Sequence, residues 1–299
     1  MIESLSKSTM EIFFLPQGAS RPVVLHASSP AIFFAALPEE YRPFLGRTGG
    51  WRLARRRPFK AWGRRCGDKE LLLVETGMGP QAVREAFSWT KARHGAALVV
   101  SAGFAGGLDP SLAVGDILLG VRFTRTPSPM IDERRRDETS REPLPSLPFP
   151  AAYVLKNLPS TAIRLAEVHG WKAAALASGD KASDKTALRS LWGDKVHAAD
   201  MESYFLAALA CESRLPFLCL RAISDGLRDA IGFDVRDIAD GRGRVSIRKV
   251  ARMAGKDPRV LKSFHQCWKR SRKAARSLAV ALEALLTMPL DGLEPPRLL

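Results

Sequence analysis

Six segments place a carboxylate or a glycine run at the end of an apolar stretch. In chain order they are Glu39-Glu40, Thr76-Gly77-Met78-Gly79, Gly103-Phe104-Ala105-Gly106-Gly107, Ser178-Gly179-Asp180, Asp200-Met201-Glu202-Ser203 and Ser224-Asp225. Carboxylates in such places can act as general acid and general base, and glycines let backbone approach a ligand. Each segment also has an ordinary use: Glu202 as a first-turn acid, Asp225 as an N-cap, the glycines as turn formers. Six in order exceed what caps alone supply. Other chemistries lack their residues. There is no GxSxG, HExxH or GxxxxGK, and the five histidines are scattered. Gly77-Met78-Gly79-Pro80-Gln81-Ala82 follows a strand and opens a helix, as a dinucleotide loop would. The next strand, however, ends in Ser101-Ala102-Gly103 and offers no acid for a ribose, which argues against nicotinamide or flavin binding.

Those segments must be positioned by the elements before them. Apolar runs at 31–37, 71–75, 97–103, 116–121, 173–178 and 216–223 predict buried strands. Pro80–His94, Ala151–His169 and Met201–Arg214 predict helices, and the stretch 51–62 an exposed strand or hairpin arm. Strand, turn and helix alternate, which predicts an α/β domain with a mixed or parallel sheet and helices on both faces. Ligands of such sheets bind at the carboxyl ends of the strands.

The chain has 299 residues, 46% of them hydrophobic, enough for a large core. Cys66, Cys211, Cys219 and Cys267 form no CxxC pair, so reduced thiols and no metal site are expected. No apolar run has the length of a membrane span and the N-terminus does not read as a signal peptide, so a cytoplasmic protein is expected. The net charge of +15 is concentrated: residues 241–276 carry 13 Lys/Arg against Asp257 alone, and 42–69 carry ten against Asp68 alone. Basic stretches of this kind are often no more than solvated faces, and otherwise attract phosphates, anionic lipid or nucleic acid. Three parts read as peripheral: an N-terminal extension over 1–29, a proline-rich charged loop over 124–150, and a C-terminal segment over 241–299. In the last, Val260, Leu261, Phe264, Trp268, Ala275, Leu278, Leu282 and Leu285 recur at helical spacing opposite Lys262, Lys269, Arg270, Lys273 and Arg276. Such an amphipathic helix caps the core or lies on a membrane surface.

Taken together, SAGFAGGLDPSLAVGDI (101–117), DMES (200–203) and RAISD (221–225) resemble the nucleoside phosphorylase/nucleosidase superfamily, within it the methylthioadenosine/S-adenosylhomocysteine nucleosidase branch. The resemblance runs in order over roughly 31–225. It implies a three-layer α/β domain, over 30–240, around a mixed sheet that curls into a partial barrel, and cleavage of a nucleoside N-glycosidic bond by water or phosphate. It places Glu40 as the base that activates water, Met201 and Glu202 at the ribose, and Asp225, supported by Ser224, as the acid at purine N7. A dry pocket would raise the pKa of such an acid. Thr76, Gly77, Gly79, Gly103, Phe104, Ala105, Gly106 and Ser183 fall at the other substrate contacts. Phosphorolytic relatives place an Arg where Glu39 and Glu40 stand, and an Arg and a Ser where Ser101 and Phe104 stand, which favours water as the acceptor. Where adenosine-type nucleosidases hold the aromatic that stacks on adenine, Ala182 and Ser183 follow Lys181, so the stacking partner is either missing or supplied elsewhere, by Phe104 or Trp192. The basic tail with SAGFAGGLDP and DMES also resembles the hopanoid-associated branch, which removes adenine from the lipid nucleoside adenosylhopane. That resemblance implies contact with an anionic membrane through 241–276, at the inner face. A homodimer with no cofactor is implied; nucleic acid is not an expected partner. The rival readings are a phosphate-dependent phosphorylase and a non-catalytic protein that binds nucleotides or anionic surfaces.

Overall fold

The apolar run at 31–37 forms strand β1 (Ala31–Ala35), buried on both faces. Its side chains alternate between two layers of core. Ile32 and Phe34 pack with Val83 and Phe87 of helix α2 (Pro80–His94), whereas Phe33 packs with Phe44 of helix α1 (Pro38–Thr48). The structure, a computed structural model, describes residues 29–67, 69–126, 152–179, 185–229, 246–257, 259–287 and 292–299. The stretch before residue 29, most of the proline-rich segment, Ala182 and Ser183 lie outside them.

Beside β1 runs β4 (Lys69–Glu75), in parallel, then antiparallel β3 (Lys60–Cys66) and the exposed edge strand β2 (Arg52–Arg55). This is the hairpin arm expected at 51–62. On the other side β1 pairs in parallel with the long strand β5 (Leu98–Gly107), which runs on through the whole glycine-rich segment. β5 joins a closed ring of five strands. The ring runs from β5 to β10 (Phe217–Asp225), β6 (Ile117–Arg125), β8 (Lys172–Ser178) and β9 (Ala198–Asp200), then back to β5. Two short strands, β7 (Ala152–Val154) and β11 (Arg297–Leu298), extend the sheet beyond β6. The fold is the expected α/β layer structure with a mixed, barrel-like sheet.

The helix expected over Ala151–His169 is shorter. Ala152–Val154 is strand β7, and helix α3 begins at Ser160, directly after Pro159. An apolar Ala-Tyr-Val triplet suits a strand as well as a helix, and pairing with β6 decides it. Helix α5 (Ser203–Glu212) lies on the same face as α2, and helix α4 (Lys185–Trp192) follows β8. The basic C-terminal segment forms helices α6 (Ile247–Lys256) and α7 (Arg259–Leu286). The second half of α7 caps the core, with Ala275, Leu278, Leu282 and Leu285 packed beside α1 and β10. The first half does not continue that burial: Trp268 is 46% exposed. Among the described residues no helix is long and apolar enough to cross a membrane.

The ring leaves no room beside β6 at Gly120. A Cβ there would lie 2.7 Å from Phe123 and 3.0 Å from Leu176, both deep in the core. The α1 residue Gly46, by contrast, has nothing within 4 Å of such a Cβ. Gly120→Ala should therefore lower unfolding free energy by about 1–3 kcal/mol through overpacking. Gly46→Ala should raise it by up to ~1 kcal/mol, as expected for a helical glycine replaced by alanine. Urea denaturation of both variants checks this; equal effects would contradict the packing of the ring.

Candidate active site

The site is assembled on the glycines of β5. Glu40 stands in the first turn of α1, where its Oε2 accepts from the backbone N–H of Ala36 at 2.7 Å and Leu37 at 2.9 Å. Those bonds cap the helix N-terminus. The other oxygen, Oε1, reaches across the sheet to the N–H of Phe104 at 2.9 Å. A side chain at Gly103 would block this, since its Cβ would lie 2.8 Å from Oε1. Burial pushes the Glu40 carboxyl above the usual carboxylate range, against the pull of the surrounding N–H groups and of Arg221. Glu40 is thus a carboxylate made more basic than usual.

Asp225 is positioned by a β-bulge. β10 pairs with β5 in register up to Ile223 and Ala105, then slips so that Asp225 stands opposite Gly106. The extra residue, Ser224, turns its hydroxyl to Asp225 Oδ1 at 2.6 Å. Bulges commonly re-aim a side chain in this way. The bare face of Gly106 admits the carboxylate: a Cβ there would sit 3.2 Å from Oδ2. Asp225 is itself buried, 7% exposed. The Lys185 ammonium lies 2.5 Å from Oδ2 and pairs with the charged carboxylate.

Beneath the site lies a buried network that the glycine motifs alone do not reveal. Arg221, 1% exposed, donates from Nε to Asp200 Oδ2 at 2.6 Å and from Nη2 to Ser101 at 2.9 Å. Asp200 also accepts from the hydroxyls of Ser178 and Ser203. Four strands and the start of α5 are thereby joined around one ion pair. Its sequence signal is a single Arg inside the apolar run Phe217–Ile223, which must find a buried partner. Lys185 has no comparable signal, because its partners come from the loop after β10.

Met201 and Glu202 follow β9 and meet the loop after β4. Gly79 donates its N–H to Glu202 Oε1 at 3.0 Å, and a Cβ at Gly79 would lie 3.9 Å from Met201 Cε. Gly77 and Gly79 hold φ of +84° and +90°, backbone that only glycine adopts readily. Thr76 is buried and donates its hydroxyl to the Gly77 carbonyl, so it holds the loop in shape. Phe104 is half-buried beside Glu40. Ala105 turns its side chain into the core and offers the site only backbone. Trp192 packs with Leu108, Leu188 and Val196 in a small core cluster, so it is not the stacking partner for a base.

Burial, then the charges of Asp200 and Glu40, push the Glu202 carboxyl up to about 8. The folded chain therefore keeps a proton there that the unfolded chain releases near 4.5. Between those values unfolding is favoured by proton release, so the contribution of Glu202 to stability falls as pH rises. Glu202→Gln removes this titration. The melting temperature of the variant should gain on that of the wild type between about pH 5 and about pH 8. A constant difference across that range would contradict the burial of this carboxyl.

Solved structures with the same fold cover nearly the whole chain. A 5′-methylthioadenosine/S-adenosylhomocysteine nucleosidase of Helicobacter pylori, complexed with a substituted pyrrolidin-3-ol, aligns with TM-score 0.61 at 18% identity, over 87% of this chain and 98% of that one. The futalosine hydrolase of Helicobacter pylori aligns with TM-score 0.61 at 19% identity, over 88% of this chain and 99% of the other. At these identities the likeness is one of fold. In sequence, a 5′-methylthioadenosine/S-adenosylhomocysteine nucleosidase of Staphylococcus saprophyticus is 29% identical over 170 residues, 54% of this chain and 71% of its own length. The sequence profile of the phosphorylase superfamily matches residues 30–282. With its strand-end carboxylates on that fold, the chain belongs to the phosphorylase superfamily and is an enzyme of the group that cleaves N-glycosidic bonds.

Proposed function

We propose that this enzyme is a purine nucleosidase that hydrolyses the N-glycosidic bond of an adenosine-type nucleoside. The observation that carries the reading is the seating of Glu40 and Asp225 on two bare glycines of one strand, Gly103 and Gly106. The ribose lies between them, held by Glu202 through its hydroxyls and packed on Met201. Asp225, with Ser224, activates the purine at N7, and Glu40 removes a proton from the attacking water. The sugar then passes through an oxocarbenium-like state. Water is favoured over phosphate because the guanidinium beside Glu40, that of Arg221, is already engaged by Asp200, Ser101 and the Leu220 carbonyl. A phosphorylase needs free cations at the sugar face. The relatives named above as nucleosidases and a hydrolase agree with this choice.

The finer reading is that the nucleoside carries a lipid, as adenosylhopane does in hopanoid biosynthesis. Its support is the first half of α7, where Lys262, Lys269, Arg272 and Lys273 are exposed and Arg272 stacks on Trp268 at 4.9 Å. That half-helix is tied to the site, because Arg270 donates to Asp229 in the loop after Asp225 at 2.9 Å. A basic, aromatic helix is suited to the interface of an anionic membrane, and this one would hold the pocket mouth there.

Adenine release from 5′-methylthioadenosine and from adenosylhopane in detergent tests both levels. Release from either supports a nucleosidase, and release from the lipid alone supports the hopanoid reading. Asp225→Asn and Glu40→Gln should each lower kcat by about 10²–10⁴-fold, as expected for loss of a positioned acid or base. Full activity of either variant would contradict its role. No release from any nucleoside, with tight salt-sensitive binding to anionic surfaces instead, would favour a non-catalytic binder.

A further inference from the structure

Both oxygens of Asp225 are engaged by neighbouring side chains. Its Oδ1 accepts from the Ser224 hydroxyl at 2.6 Å and its Oδ2 from the Lys185 ammonium at 2.5 Å. These two groups are the nearest sources from which Asp225 can take up the proton it passes to the departing purine. A serine hydroxyl is too weak an acid for this. A lysine ammonium is the stronger acid of the two.

Lys185 is built into this position. Its side chain is 15% exposed, and besides Asp225 it donates to the backbone carbonyls of Gly226 and Asp229, the latter at 3.0 Å. The absent side chain of Gly106 makes room for it, since a Cβ there would lie 3.4 Å from Lys185 Cδ. Among the described residues, the ionisable groups that face the pair are Asp229 on the same loop, and Cys267 and Arg270 from α7. Arg270 is itself paired with Asp229, and burial followed by the Asp225 charge pushes the Cys267 thiol up, away from the thiolate. Among the described residues, Lys185 is therefore the cation in contact with Asp225.

We propose that Lys185 is the proton donor for leaving-group departure, with Asp225 as the relay between it and the purine. As the C1′–N9 bond breaks, its electron pair moves into the purine. N7 takes a proton from Asp225, and Asp225 takes one from Lys185, which is left as the neutral amine. The attacking water bonds to C1′ and loses a proton to Glu40. Lys185 recovers a proton from solvent, and Glu40 releases one, once the base has left.

This rests on the nucleosidase reading, and the test separates the two. The substrates are 5′-methylthioadenosine, whose purine must be protonated to leave, and nitrophenyl β-ribofuranoside, whose phenolate leaves unaided. Lys185→Met should lose about 10²–10⁴-fold in kcat on the nucleoside, the range of a lost general acid, while keeping near wild-type activity on the nitrophenyl riboside. That retained activity also reports an intact fold. Lys185→Arg keeps the charge and the ion pair but holds its proton at any working pH, so it should be as defective on the nucleoside as Lys185→Met. Rescue by Lys185→Arg would overturn the proposal and leave Lys185 as a charge that orients Asp225. Equal losses on both substrates would overturn it in favour of a structural role. If Asp225→Asn is inactive while Lys185→Met is not, the proton-donor role alone fails. If Asp225→Asn is fully active, the reading of the site fails with it.

Discussion

The ion pair between Arg221 and Asp200 is the constraint on which the site depends. Both side chains are almost completely removed from water, and a buried charge left without its partner costs about 3–5 kcal/mol. The pair therefore fixes the spacing of β9 and β10. Ser101 brings β5 into the same network, and Ser178 and Ser203 bring in β8 and α5. Met201 and Glu202 follow Asp200 directly, and Asp225 lies four residues beyond Arg221 on the same strand. The position of the ribose-binding residues and that of the leaving-group residues are thus set by one electrostatic contact beneath them.

Above this network the chemistry is shaped by what β5 lacks. Gly103 and Gly106 carry no side chains, and each gap is filled by a carboxylate from another element. Glu40 enters from α1, where it also caps its own helix, so its structural and chemical uses coincide. Asp225 enters through a bulge, which lets one strand first bury Arg221 and then turn a carboxylate outward. The two groups differ in surroundings: Glu40 is held by neutral backbone donors in a buried place, Asp225 by an ammonium and a hydroxyl. Such unequal settings are what allow two carboxylates to divide acid and base work.

Much of this frame could be read from residue patterns. The strand runs, the hairpin at 51–62, helix Pro80–His94 and the strand-end carboxylates all reflect local periodicity and turn chemistry, which a sequence carries explicitly. Helix α1 escaped because Pro43 interrupts a short, weakly patterned stretch. Strand β7 reads in sequence as the start of a helix, because three apolar residues have no period of their own. The bulge at Ser224 depends on the register of β10 against β5, a relation between segments more than 100 residues apart. Lys185 and the Arg221–Asp200 pair are invisible for the same reason: a lone charge announces a need for a partner without saying where it lies.

In the proposed reaction water, activated by Glu40, accepts the sugar. The most direct measurement is the identity of the sugar product formed from 5′-methylthioadenosine in phosphate buffer made with water enriched in heavy oxygen. A free sugar carrying one heavy oxygen at its anomeric carbon is the predicted result. A sugar 1-phosphate without the label would contradict it, and would assign phosphate the place between the two carboxylates.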